Sequence, residues 1–549
     1  MTATQNSQHA ASPARTAVFI VGGGPVGLSM AILMNRFGID FVMVERASST
    51  TDHPKARGCW SRTMEIFRQW GIEERMRARG LPDNSDMFAF VESMAGHEYG
   101  RTLPEVNIGL SPAWKCILSQ DAVEEELLKH ARELGAAGTS RNHILYSTEF
   151  VDYTDTPQGV KVTVRDLKTG ETVAWDAACL IAADGAGSSV RRVSGLEMRG
   201  PSTMAVMANE YWKADLSGIR GAANTAAFRV VPRDSNVPMA SVLNTNGCDR
   251  WLSLIKIGAD KDERPGERTD EEVVRLARIH TGLPNLDVQV INRSIWRLSR
   301  QVATGFRKNR VFLVGDAAHR FPPSGGYGMN SGIQDAHNLA WKLDLVLKGR
   351  ASERLLDSYD QERRPVAESN ADFSYGNTQR FLKTDEAFRR GNIDEINFWI
   401  KDTENHVHSV GQSLGFSYDE GALVPDGTAK PAMRTRSYEP SDRPGGRFPH
   451  LWLDLARKRS TLDWFDKHFV LVVGLKGEAW LEAAKEVSAR RDLQIDTRQL
   501  EEDAEKHGLL IGLRGAVLVR PDGHVAWRMP WQPSDPAAEL ASALDQLIG

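Results

Sequence analysis

Three stretches of the sequence predict an α/β fold built around a Rossmann-like domain. The first, Ala17–Arg46, reads AVFIVGGGPVGLSMAILMNRFGIDFVMVER. The second is a series of short strand-like segments between residues 200 and 300, which predicts an inserted antiparallel sheet. The third is a renewed strand–helix alternation after Phe448, which predicts a further α/β unit.

In the first stretch, Val18–Val21 is a short apolar run suited to a buried strand. Gly22, Gly24 and Gly27 follow as G-x-G-x-x-G, with Pro25 and Val26 inside the motif. Leu28–Phe37 is an apolar, helix-compatible segment, and Ile39–Val44 is a second strand closed by Glu45 and Arg46. This is the dinucleotide-binding βαβ pattern. Gly22 permits the tight turn, Gly24 lets the backbone approach a pyrophosphate, and Gly27 lets helix and strand pack closely. The helix N-terminus offers free N–H groups and a positive dipole end to phosphates. Glu45, 18 residues beyond Gly27, can accept hydrogen bonds from a ribose diol.

Bulk properties narrow the function. The chain has 549 residues, enough for two to four domains, with 41% hydrophobic and 26% charged residues. A net charge of −4 argues against nucleic acid as a partner. Cys59, Cys116, Cys179 and Cys248 are far apart with no C-x-x-C, which fits a reducing compartment and argues against a cysteine-based metal site. The first 14 residues are polar, unlike a secretory signal, and read as a frayed tail. Val18–Met34 carries no charge, but it is broken at Gly22–Pro25 and falls short of the ~20 residues of a membrane span. A cytoplasmic protein is expected.

Farther along, Lys55-Ala56-Arg57 precedes an amphipathic helix, Arg62–Trp70, ended by Gly71. Residues 81–113 show no clear period. Asp121 is a candidate N-cap for a helix Ala122–Leu134. Val160–Val164 and Thr172–Trp175 read as strands joined by a turn, and Cys179–Ala183 is another buried run, followed by DGAGSSVR at 184–191. In the middle stretch, Val206–Trp212, Ala226–Val231, Met239–Leu243 and Trp251–Ile255 look like an antiparallel sheet. Residues 258–270 read as a charged loop and Glu271–His280 as a helix. Such a sheet could floor a substrate pocket, with Phe228 and Trp251 as candidate lining residues; packing against the domain's own helix is the alternative for both.

A second signature lies at 309–348. The strand Arg310–Val314 runs into Gly315-Asp316-Ala317-Ala318-His319, then PPSGGYGMN, then a helix Ser331–Lys348. The layout repeats the first motif: strand, loop rich in backbone donors, helix start. Asp316 is placed to accept from sugar-like hydroxyls, and the Gly328-Met329-Asn330 amides can stabilise negative charge on a ring system. His319, with no partner evident in sequence, reads as structural.

GGGPVG with Glu45, DGAGSSVR and GDAAHRFPPSGGYGMN together resemble the single-component FAD-dependent aromatic hydroxylases, the phenol and para-hydroxybenzoate hydroxylase group. KARGCWSRTMEIFRQWG at 55–71 and SQDAVEEELL at 119–128 are similar to further FAD regions of that family. The NSGIQDAHNLAWKL run at 330–343 looks most like the phenol, chlorophenol and hydroxyphenylpropionate branch. The resemblance implies that Gly22, Gly24 and Gly27 hold the FAD pyrophosphate and Glu45 the adenosine ribose. It places Arg57 and Gln120 at the pyrophosphate or ribityl region and Asp316 on the ribityl chain. It sets Pro323 against the isoalloxazine, Gly328, Met329 and Asn330 along its pyrimidine edge, and Asp184 in a motif shared by FAD and nicotinamide binding. Lys55 stands where many members carry arginine.

The implied reaction is hydroxylation of a phenolic ring by NADH or NADPH and O2 through a flavin C4a-hydroperoxide, with the nicotinamide visiting transiently. Epoxidation or Baeyer–Villiger oxidation of a polycyclic aromatic natural product would use the same motifs. A flavin-free dehydrogenase and a flavin-carrying interaction module are the other rivals. A homodimer is expected.

Toward the C-terminus, Leu355–Asn370 continues as helix and residues 400–447 read as a polar linker. His406 and His408 form an H-x-H without a third ligand nearby, so no metal site is expected. Phe469–Val473 is a strand, Glu478–Ala489 a helix, Ala516–Arg528 a hairpin turning at Pro521-Asp522-Gly523, and Ala537–Ile548 a closing helix. That order resembles the thioredoxin-like tail of the phenol hydroxylase branch. With no cysteine beyond Cys248, its role is structural or dimerising. The predicted domains are 15–195 with 300–370 (FAD binding), 196–299 (substrate sheet), 371–447 (helical segment and linker) and 448–549 (thioredoxin-like).

Overall fold

The computed structural model describes residues 14–258, 268–502 and 508–549. The polar N-terminal tail and most of the charged 258–270 loop lie outside the described residues. The central sheet runs in the order Arg307–Lys308, Val311–Leu313, Thr172–Ala182, Ala14–Val21, Phe41–Val44, Asn142–Leu145. Strands from Val311–Leu313 to Asn142–Leu145 are parallel, and those flanking the first strand are buried on both faces, as their continuous apolar runs require. The strands Thr148–Thr156 and Gly159–Asp166 extend the sheet as an antiparallel meander. Helix Pro25–Phe37 crosses between the first two strands and packs on helices Gln120–Ala137 and Tyr327–Leu347. Asp121 falls in the first turn of the helix Gln120–Ala137, whose cap is Ser119.

The inserted sheet has seven strands, two of them from the stretch that shows no period in sequence. Phe88–Val91 pairs in parallel with Ala227–Val230, and Glu98–Arg101 forms the edge. These strands are too short to show a period, so the first domain, expected to run unbroken to residue 195, lends a hairpin to the second. One face of the sheet packs on helix Asp270–Thr281 through Trp212, Phe228, Val242, Trp251, Val273 and Leu276. The other faces the central sheet's loops.

The helix read over Leu355–Asn370 and the helical segment expected after it form one continuous helix, Arg354–Arg390, with Pro365 inside it. The segment expected to be a linker is instead packed down: Val410 and Leu414 sit against Trp114, and Phe416, Tyr418 and Leu423 against Val366. The C-terminal unit is a four-stranded sheet in the order Ile495–Gln499, Phe469–Val473, Ala516–Val519, Val525–Met529, a thioredoxin-like arrangement. Helices Glu478–Arg491 and Pro536–Ile548 pack on one another and share a core with Phe469 and Trp527.

Candidate functional site

The first glycine loop leaves the C-terminal end of Ala14–Val21, between strands that diverge to either side. Gly22 has φ +109°, and a Cβ there would stand 2.2 Å from the Ala183 carbonyl oxygen. A Cβ on Gly27 would stand 1.9 Å from the Gly22 carbonyl oxygen. Gly24 differs: its φ is an ordinary −74°, and the nearest protein atom to an added Cβ is Glu124 Oε1 at 3.9 Å. No packing within the protein demands glycine at 24, and the open space belongs to a cavity. The helix beginning at Pro25 has no side-chain cap and no acid in its first turn, so its N-terminal N–H groups face that space. Glu45 accepts from the N–H groups of Gly23 (2.7 Å) and Ala47 (2.8 Å), which fixes its carboxylate at the end of the second strand.

The second loop reaches the same cavity. Asp316 is enclosed by protein yet accessible, because its carboxyl stands in the cavity wall, and the enclosure raises its pKa. Pro323, Gly328 and Met329 also line the wall. The helix Tyr327–Leu347 starts from Gly326 at φ +70°, again without a side-chain cap or first-turn acid. Two uncapped helix N-termini therefore converge on one space.

That space is a cavity of about 1970 Å³. Ligand pockets span roughly 300–1,000 Å³, so it has room for two molecules at once. At one end stand Pro25, Val26, Glu45, Arg46, Gln120 and Asp184; at the other stands the open face of the inserted sheet, including Met207, Asn209, Ser241, Leu252 and Leu254. The long helix Arg354–Arg390 adds Thr378, Phe381, Leu382, Asp385 and Arg389, a single stripe at helical spacing. Arg229 pairs through two nitrogens with Asp385, joining sheet to helix across the cavity wall.

The donor set fits FAD. The space beside Gly24 suits a close-packed pyrophosphate, Glu45 holds a fixed carboxylate in the wall as an acceptor for hydroxyls, Asp316 faces the cavity with no bond to another described residue, and a second helix start offers charge stabilisation to a ring. The FAD binding domain family matches residues 15–374, and the family of aromatic-ring hydroxylase C-terminal domains matches residues 441–549. The chain belongs to the FAD-dependent aromatic-ring hydroxylases. It is 33% identical to the tetracenomycin A2 monooxygenase-dioxygenase of Streptomyces glaucescens, over 97% of this chain and 96% of that one. It is 31% identical to the phenol 2-monooxygenase of Pseudomonas sp. (strain EST1001), over 96% of this chain and 92% of that one. The crystal structure of the flavin-dependent monooxygenase PieE in complex with FAD and substrate superposes with a TM-score of 0.89 at 30% identity, covering 98% of this chain and 99% of that one.

This hydroxylase departs from the sequence expectations at its two candidate substrate-lining aromatics. Phe228 and Trp251 do not line the cavity. They are 3% and 1% exposed in the core beneath the sheet, on the helix side. Side chains alternate along a strand, so their neighbours Arg229 and Leu252 face the cavity instead. Asn330 is fully buried: it accepts from the Trp60 N–H (2.8 Å) and donates to the carbonyls of Gly58 and Gly326. Its side chain pins the strand Arg57–Cys59 to the helix start rather than lining the cavity. Arg57 does line the cavity, but its guanidinium donates to the Ala226 and Asn244 carbonyls, and burial lowers its pKa to about 10. Asp184 caps a following helix, accepting from the N–H groups of Ser189 and Val190, and burial raises its pKa. His319 is the structural histidine expected, bonded at 2.6 Å to Asp335.

Sequence reasoning missed Trp60, Phe88, Arg229, Phe381, Asp385 and His406, all of them in the cavity wall. The helical spacing 378–381–385–389 was a usable signal, but it lies in the segment after residue 370, to which no site residue was assigned. His406 and His408, read as one motif, go separate ways: His406 lies between Phe88 and Phe381, while the His408 ring bonds to the Leu103 carbonyl.

Proposed function

We propose that this enzyme hydroxylates a fused-ring phenol, consuming NADH or NADPH and O2. The observation that carries the substrate size is the single cavity of about 1970 Å³, roughly twice the upper end of a one-ligand pocket. Bound FAD supplies the oxygen-activating chemistry that no amino-acid side chain offers. The chain's own work is binding, orientation and exclusion of water. The two uncapped helix starts stabilise negative charge at the pyrophosphate and at the ring's edge. Asp316 and Glu45 accept from the ribityl and ribose hydroxyls. The inserted sheet's apolar residues and Phe88, Phe381 and Pro323 form the walls that keep the reacting ring dry and oriented.

Three further parts of this reading go with it: transient nicotinamide binding without a fold of its own, assembly as a homodimer, and a cytoplasmic location consistent with four free cysteines. No helix among the described residues is long and apolar enough to cross a membrane. The test is a screen of naphthols, hydroxynaphthoquinones, hydroxyanthraquinones and simple phenols for stimulated NAD(P)H oxidation by the yellow purified protein, with product masses. A gain of one oxygen atom on a fused-ring phenol is expected. Stimulation by one-ring phenols alone would overturn the size argument, and no stimulation by any member would overturn the reaction.

A further inference from the structure

We propose that His406 is the residue that engages the substrate's ring hydroxyl, through Nε2, as a neutral hydrogen-bond partner. This inference rests on the reading of the cavity as a phenol site. His406 is 9% exposed, and its exposed part lies in the cavity wall. The ring is held edge-on by Phe88 at 4.9 Å between centroids and by Phe381 at 5.5 Å, so its plane is fixed without any hydrogen bond. Nδ1 is buried with no partner. Other buried histidines have hydrogen-bonded ring nitrogens, among them His53 with Asn292, His280 with the Pro238 carbonyl, His319 with Asp335 and His337 with Gln69. No described residue bonds to either nitrogen of His406.

A buried polar group without a partner costs about 1–3 kcal/mol. That cost stays with Nδ1, while Nε2, bonded by no described residue, is the nitrogen left for a ligand in the cavity. The charges around it fit an electron-rich oxygen. Arg57, on the same wall, carries its positive charge against two carbonyls and no carboxylate. Lys115 bonds to the carbonyl of Val407, the residue next to His406, and is itself paired with Asp86 and Glu105. Arg380, on the long helix, is paired with Asp402. Burial, with Arg380, Arg57 and Lys115 nearby, pushes the His406 pKa down to about 3. The ring is therefore neutral at working pH, too weak a base to strip a phenol of its proton but able to accept a hydrogen bond from it. His406 selects and positions a hydroxyl-bearing ring.

The test is a comparison of wild type, His406→Phe and His406→Gln holoenzymes on fused-ring phenols and their methyl ethers. Binding is read from the change in flavin absorbance, and turnover from product per NAD(P)H consumed. Phenylalanine keeps the packing between Phe88 and Phe381 and removes both nitrogens; glutamine restores a polar group near the Nε2 position. Wild type is expected to favour phenol over ether, and His406→Phe to lose about fivefold to tenfold in phenol affinity with little change for the ether. His406→Gln should recover part of the difference, and all three proteins should retain FAD. Equal losses on phenol and ether, or no loss on either, in a wild type that does bind and turn over phenols would overturn the role of His406 alone. A wild type that binds no member of the panel would overturn both the role and the phenol-site reading beneath it.

Discussion

Two glycines of one motif should fail in different ways when given a methyl group. At Gly27 an added Cβ would stand 1.9 Å from the Gly22 carbonyl oxygen, well inside contact distance and against backbone. The helix Pro25–Phe37 would have to move off its strand, and overpacking of this kind costs about 3 kcal/mol or more. At Gly24 the φ of −74° suits alanine, and no protein atom lies closer than 3.9 Å. Gly24→Ala apoprotein should stay within about 0.5 kcal/mol of wild type, because the stiffer unfolded chain offsets alanine's poorer fit at a helix N-cap. Its methyl would project into the space for the pyrophosphate, at a cost of about 1–3 kcal/mol, or roughly 5- to 150-fold in FAD affinity. The assay is paired: unfolding of deflavinated protein, and FAD titration by quenching of flavin fluorescence. Gly27→Ala should fail both and Gly24→Ala only the second. Wild-type FAD affinity in Gly24→Ala would show that the pyrophosphate does not pass this residue, and an undisturbed Gly27→Ala apoprotein would refute the packing argument.

Other outcomes follow from the same geometry. Asp316→Ala should purify with little FAD, as measured by the ratio of visible to ultraviolet absorbance, because the carboxyl faces the cavity with no bond to another described residue. Glu362→Gln should destabilise the protein by about 3–5 kcal/mol in denaturant unfolding, because the fully buried Glu362 carboxylate receives two nitrogens of Arg520 at 2.8 Å and Lys342 at 2.9 Å. Acid should loosen the junction between the helix Tyr327–Leu347 and the C-terminal domain. Burial lowers the pKa of His337 to about 3 and of His524 to about 4, so the unfolded chain takes up protons below pH 6.5 that the fold refuses. Stability from these residues is full above pH 6.5 and falls as pH drops toward 4, and His524→Phe, whose ring fits beside Phe416 and Tyr418, should flatten that fall in melts across pH.

What could be read from sequence was whatever local chemistry dictates. The glycine loop, Glu45 and the 315–330 loop announce themselves, because a tight turn and a helix start need particular residues at particular spacings. The distal end of the cavity does not. Arg229 faces it and Phe228 does not because of strand parity, which only pairing fixes: Arg229 lies opposite Ser241 in the antiparallel ladder, and both line the cavity. Asp385 and His406 enter the wall because the long helix and the segment after it fold back across the sheet, a long-range packing choice with no local signature. Asn330 carries the converse lesson. Its side chain serves the scaffold by holding Trp60, and Trp60 is the residue that shows in the cavity.

The helix Tyr327–Leu347 gives the C-terminal domain its physical purpose. Its first turn opens on the flavin cavity, its middle holds Asp335 against His319 and Arg363, and its later turns carry Asn338 and Lys342 to Glu362. Glu362 is answered from the C-terminal domain by Arg520, and Trp341 packs edge-on against Phe469 at 5.7 Å. One helix thus spans from cofactor to C-terminal sheet, and the far domain holds its end. Removing residues 448–549 would strip Arg520 from a fully buried carboxylate and expose Trp341, Leu345 and Leu355 together. The expected result is aggregation or poor flavin retention, scored by size-exclusion chromatography and flavin content, because the damage is to the helix that supports the site. A monodisperse truncation that keeps its flavin yet no longer hydroxylates would assign the domain a chemical role and overturn this account of it as a brace.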